Sequence, residues 1–152
     1  AELEKLVRAI EEEPGVPAWN AVARLTDPAE LSDPSVVKCV VSRTGRLLYC
    51  SREFSSLAPR LGAGFDPLRK VLGILAYRRD FLERYGRLVR TPLECAESID
   101  QSRIIEHDVL LRSVEFGQGY PGINEPREVP SVERYLSQDA VQQAVLSEIH
   151  RP

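Results

Sequence analysis

Apolar positions change their period several times along the 152-residue chain, and each change predicts a different element. Leu3, Leu6, Val7 and Ile10 recur at i, i+3, i+4 and i+7, which predicts a helix over residues 1–13, ended by Pro14-Gly15. AWNAVARL (18–25) alternates as a strand does, and DPAELSDP (27–34) carries turn chemistry around a short helical turn. VVKCVV (36–41) and LLYCSR (47–52) flank SRTGR, which predicts a β-hairpin turning at Thr44-Gly45 with Cys39 facing Cys50. EFSSLAPRLGAGFDP (53–67) is a loop by its Gly, Pro and Ser content. VLGILAY (71–77) is an unbroken apolar run, the pattern of a strand buried on both faces. A short helix follows at 78–88, with Phe81, Leu82, Tyr85 and Leu88 on one face, then a helix at 92–107 and a strand at 108–116. GQGYPGINEP (117–126) is a loop, and 128–149 is helical in two pieces, with restarts at Pro130-Ser131 and Ser137-Gln138-Asp139.

Strands alternating with helices predict an α/β fold, a sheet layered with helices, in a single domain spanning residues 1–152. A hydrophobic content of 43% is ordinary for a globular domain of this length. The net charge of -3 and the lack of a clustered basic stretch argue against nucleic acid as a partner. No apolar run approaches the roughly 20 residues that span a membrane, and no signal-peptide pattern is visible. Three cysteines, Cys39, Cys50 and Cys95, lack zinc spacing and read as reduced thiols in the cytoplasm.

The densest polar stretch is TPLECAESIDQSR (91–103). Thr91, Pro92 and Glu94 form a capping box around a helix start, the glutamate reaching back to the threonine amide. Asp100 and Arg103, three apart, are spaced to pair on the helix surface. Glu97 and Asp100 follow at helical spacing, where negative charge also suits the positive end of the helix dipole, so the stretch reads either as a well-solvated helix start or as one wall of a site for a hydroxyl-rich substrate.

Four segments, SVVKCVVSRTGRLLYCSR, VLGILAYRRDFLERY, TPLECAESIDQSR and PGINEPREVPSVERYL, occur in an order and spacing that resemble the C-terminal portion of the 3-deoxy-manno-octulosonate (Kdo) cytidylyltransferases. The resemblance implies an α/β fold with a partly parallel sheet layered with helices, Rossmann-like and of the nucleotide-diphospho-sugar transferase kind. It implies transfer of CMP from CTP to a sugar acid with Mg²⁺, in the cytoplasm, as a step of lipopolysaccharide biosynthesis.

Residue by residue, Arg52 matches the arginine beside the sugar-acid site, where a guanidinium suits a carboxylate. Tyr77 and Arg78 match the Tyr-Arg ending the buried strand, and Glu94 and Glu97 match the two helix glutamates. Asp100 and Gln101 match a Glu-Gln pair that contacts sugar hydroxyls. Asn124 stands where the family has a metal-binding aspartate; its carbonyl can ligate Mg²⁺ but brings no charge. Val71 and Leu75 replace a histidine and a tyrosine, making the pocket more apolar. The family's N-terminal nucleotide loop, P-A-R-x-x-S-x-R-L-P-G-K, and its G-D-E-P metal motif have no counterpart here. The chain therefore reads as the substrate-binding and dimer-forming portion of such an enzyme, a homodimer that needs an N-terminal half to turn over. A diverged, non-catalytic interaction module is the competing expectation.

Overall fold

The computed structural model describes residues 2–54, 67–117, 119, 122–123 and 126–149. Two compact units divide the chain, residues 1–119 and 120–152. Among its described residues the first has four α-helices, α1 (Glu2–Glu12), α2 (Arg79–Tyr85), α3 (Pro92–Glu97) and α4 (Asp100–Glu106), and five strands. The strands are β1 (Ala18–Ala23), β2 (Lys38–Val41), β3 (Leu47–Ser51), β4 (Leu68–Tyr77) and β5 (Leu111–Glu115). The second unit contains a short 3-10 turn and two helices, α5 (Val129–Gln138) and α6 (Ala140–Ile149). Asp139 makes the break between them, its carboxylate accepting from the Val141 and Gln142 amides at 2.9 Å each.

The sheet of the first unit has the order β3-β2-β4-β1-β5. β1 and β5 run parallel, and the remaining pairs are antiparallel, so the partly parallel α/β architecture is the one expected. Cys39 and Cys50 are register partners across the hairpin, as the turn position predicts. Both are free thiols. Gly45 in the turn has a φ of +81, a conformation that side chains other than glycine rarely take.

One sheet face packs Trp19, Ala21, Val114 and Phe116 under Leu6 and Val16. The other packs Ala18, Val22, Cys39, Leu47 and Leu111 under Phe81, Ile99 and Ile104 from α2–α4. Of the apolar stripe predicted for the first helix, Leu6 is buried while Leu3 and Val7 stay exposed. Two expectations are corrected. VLGILAY packs on both faces but is only partly buried: Val71 and Tyr77 meet one cluster and Leu72, Ile74 and Ala76 the other, while β4 stays half-buried along most of its length and Gly73 is exposed. Among the described residues β2 flanks β4 only over Lys70, Arg69 and Leu68, so the side chains beyond Lys70 lack the lateral cover of a neighbouring strand on that side. The helix predicted over 92–107 is two helices, because Ser98 enters the left-handed region (φ 53, ψ 50). That kink turns Ile99 into the core, where it is 2% exposed.

Candidate functional site

The kink at Ser98 organises the polar residues. Ending α3 early strands its last carbonyls, and Arg52, at the end of β3, takes them up. Its guanidinium donates to the Pro34 carbonyl at 2.6 Å, the Glu97 carbonyl at 3.0 Å and the Ser98 carbonyl at 3.4 Å. An arginine has five N–H groups, so two remain without a partner among the described residues. Glu97 is brought to the same place. Its carboxylate accepts from the Ser51 hydroxyl at 3.1 Å and the Arg52 amide at 3.0 Å, tying the helix end to the strand end. Below them Lys38 is fully buried on β2, donating to the Asp33 carbonyl at 2.7 Å. Burial pushes its pKa down, countered in part by Glu53 and Asp33.

Gln101, in the first turn of α4, is buried. Its Nε2 donates to Asn20 Oδ1 at 2.9 Å, and Asn20 in turn donates to the Leu72 carbonyl at 3.0 Å and the Ala21 carbonyl at 2.6 Å. Asn20 lies where two steps of β1, from Asn20 to Val22, oppose four steps of β4, from Val71 to Leu75. That bulge frees a carbonyl at Leu72, and the buried amide of Asn20 satisfies it. The Oε1 of Gln101 carries no donor among the described residues.

Tyr77 is half-buried at the end of β4. It stacks on Tyr85 (centroids 5.8 Å apart) and packs against Phe81. Burial raises its pKa to about 12, so the hydroxyl stays neutral. Asp100 is exposed, and its carbonyl accepts from the Tyr85 hydroxyl at 3.4 Å. Tyr77 thus stacks on Tyr85, which bonds the start of α4 at Asp100, while Arg52 and Glu97 meet at the end of α3. Arg78 faces away, over the Trp19 ring and onto the Ile10 carbonyl at 2.7 Å.

The capping-box residues anchor this arrangement. Glu94 accepts from the Thr91 amide at 3.3 Å, whereas the Thr91 hydroxyl sits in the cap position, buried, without closing a good hydrogen bond. The surface pair expected between Asp100 and Arg103 is corrected: Arg103 pairs with Glu94 through Nε at 2.7 Å and through Nη2, and lies over the Tyr85 ring. A buried carboxylate recruits the nearest cation because it would otherwise lie unpaired, whereas exposed Asp100 is already solvated. The Arg103 bonds hold the Glu94 carboxyl down at about 2 against the opposing effect of burial, with help from the Thr91 amide and Arg90.

Asn124 and most of the 53–67 loop, from residue 55 to 66, lie outside the described residues. Among the described residues no group of three or more His, Cys, Asp or Glu side chains is placed to hold a metal ion. No helix among them is long and apolar enough to cross a membrane. Sequence reading singled out Arg52, Glu97 and Gln101 but missed Asn20, Lys38 and the Tyr85–Arg103 contact. An asparagine inside an apolar strand pattern was the available signal for the first.

No protein-family model matches the chain. The 3-deoxy-manno-octulosonate cytidylyltransferase of Chlamydia caviae is 33% identical over 135 residues, covering 89% of this chain and 52% of that protein. The protein of that name from Herminiimonas arsenicoxydans is 34% identical over 133 residues, covering 81% of this chain and 52% of that protein. A solved CMP:2-keto-3-deoxy-manno-octonic acid synthetase complexed with CTP superposes with a TM-score of 0.77 at 29% identity, over 90% of this chain and 55% of that one. The chain spans about half the length of these relatives. In sequence and in fold it is similar to the C-terminal portion of the 3-deoxy-manno-octulosonate cytidylyltransferases.

Proposed function

We propose that the chain is the acceptor-binding portion of a cytidylyltransferase-like enzyme that transfers CMP from CTP to a Kdo-like sugar acid or another small anionic acceptor. The observation that carries this reading is the agreement of sequence and fold with proteins of that activity over most of the chain. The polar residues at the Ser98 kink support it. Arg52 is held by three carbonyls yet keeps two N–H groups without a partner among the described residues, a donor set suited to a carboxylate. Gln101 is held through its Nε2 and keeps a carbonyl oxygen, without a donor among the described residues, for a sugar hydroxyl. Tyr77 and Asp100 complete the acceptor side, while the Glu97 carboxylate serves from behind by holding Arg52 and Ser51. CTP and Mg²⁺ belong in this reading chiefly to the N-terminal half of the fold, with Asn124 as a weak, uncharged metal ligand. The assembled enzyme is, in this reading, a cytoplasmic homodimer.

Ligand-detected NMR with a panel of sugar acids tests the reading. Arg52→Lys loses the planar fork and weakens acid binding by about thirtyfold to a hundredfold. Arg24→Ala, whose arginine pairs with Glu115 and with none of the candidate site residues, leaves it unchanged. If no acid binds the parent chain, or if both variants behave alike, the reading fails and a non-catalytic interaction module takes its place.

A further inference from the structure

Arg52 and Gln101 stand at two ends of a stretch of sheet whose side chains offer no hydrogen bond. Alternation along β4 sets its faces. Leu72, Ile74 and Ala76 pack with Trp19 and Leu6, whereas Val71 and Tyr77 pack with Phe81, Ile99 and Ile104, so Gly73 and Leu75 share the face of Val71 and Tyr77. On β1, Ala18 and Val22 belong to that second face and Trp19 and Ala21 to the first. Asn20 therefore joins the second face, where it is the register partner of Leu75 and accepts from Gln101. On the other side of β4, Val37 packs in the same cluster as Val71, and its carbonyl accepts from the Val71 amide at 2.8 Å. Arg52 lies beside that point, one residue beyond Ser51, whose partner on β2 is Lys38. Between the two polar ends lie Val37, Val71, Gly73 and Leu75. The three side chains are half-buried, Gly73 is exposed, and nothing lies within 4 Å of the place its Cβ would occupy. Its φ lies outside the left-handed region, so the local backbone does not call for a glycine.

We infer that the acceptor lays a hydroxyl-poor carbon face over Val71, Gly73 and Leu75, with its carboxylate at Arg52 and a hydroxyl at Gln101, and that this floor makes the chain select acids deoxygenated along that stretch. The inference rests on the acceptor reading above and adds to it the chemical class of the acid. The strand order sets β2 and β4 between Arg52 and Asn20, about 14 Å of sheet at about 4.8 Å per strand spacing, so the carboxylate and the far hydroxyl are separated by several carbons. A hydroxyl set down on this floor gives up water and finds no partner, whereas a methylene loses nothing there. Apolar sites reject an added hydroxyl by about a hundredfold at most. The missing side chain at Gly73 lets the carbon chain approach the backbone closely.

Ligand-detected NMR tests it, with six- to eight-carbon aldonates and 2-keto acids each compared with the form lacking one hydroxyl on a middle carbon. In at least one pair the deoxy form binds the parent chain about tenfold tighter or more. Val71→Thr adds a hydroxyl in nearly the same volume and narrows that preference by about threefold or more. Gly73→Ala puts a methyl where no protein atom lies, so it leaves the urea midpoint unlowered and weakens every acid by about tenfold. Should the alanine lower the midpoint, Val71→Thr decides alone. Equal affinity within every pair overturns the inference. So does a preference untouched by Val71→Thr, or a stable Gly73→Ala chain that binds as the parent does. In each of those cases a loss with Arg52→Lys leaves the acceptor reading standing, whereas a parent chain that binds no acid removes both.

Discussion

Arg52 and Glu97 hold each other twice, and neither contact joins their charges: the Glu97 carboxylate accepts from the Arg52 backbone amide, and the Arg52 guanidinium donates to the Glu97 backbone carbonyl, each at 3.0 Å. The pair therefore acts as a reciprocal cap between a strand end and a helix end, and its energy is that of hydrogen bonds to charged groups. Glu97→Ala leaves the Ser51 hydroxyl and the Arg52 amide without their acceptor and costs about 1–3 kcal/mol. Glu97→Gln keeps one acceptor oxygen and costs less. Urea denaturation at low and at high salt checks the assignment. A surface ion pair would weaken with salt, whereas the cost of Glu97→Ala stays the same.

Glu94 makes stability depend on pH below the usual carboxylate range. Its pKa falls from 4.5 to about 2 in the folded chain, so its contribution is fully present above pH 4.5 and is lost as pH falls from 4.5 toward 2. Glu94→Gln costs about 3 kcal/mol at neutral pH, because it leaves Arg103 half-buried without its counter-charge, and it flattens the stability curve across that acid window. Thr91→Ala, by contrast, costs less than about 0.5 kcal/mol, at the low end for N-cap removal, since the hydroxyl closes no good bond. Urea midpoints measured from pH 7 to pH 2 separate the two halves of the capping box.

The three thiols differ in reactivity for a reason that lies in the sheet. Burial drives the Cys50 pKa up to about 12 and pushes Cys39 up as well, so neither forms thiolate at pH 8. Cys95 is exposed on α3. A thiol reagent such as Ellman's at pH 8 titrates one group in the native chain and three in denaturant. A second reactive native thiol shows that the β2–β3 hairpin opens.

Local order was legible in the residues. The helix period of the first segment, the hairpin that sets Cys39 against Cys50, the Glu94 reach to Thr91 and the restart at Asp139 all depend on neighbours a few residues apart, and each occurs. The ordered motifs also carried the likeness to the cytidylyltransferases, because a likeness is a property of the sequence itself. Other features waited for the tertiary structure. Arg103 bonds to Glu94 rather than Asp100, Arg52 caps carbonyls 18 and 45 residues away, and Asn20 joins Gln101 to the bulge in β4 across 81 and 52 residues. Periodicity reports which face of an element is apolar. Which buried polar group meets which partner depends on the surfaces that strand order brings together, and a buried group takes whatever donor or acceptor the fold presents. The same holds for VLGILAY: its apolar run specified a strand, but only the tertiary structure set the strand order β3-β2-β4-β1-β5 and limited the pairing of β2 with β4, among the described residues, to Leu68–Lys70.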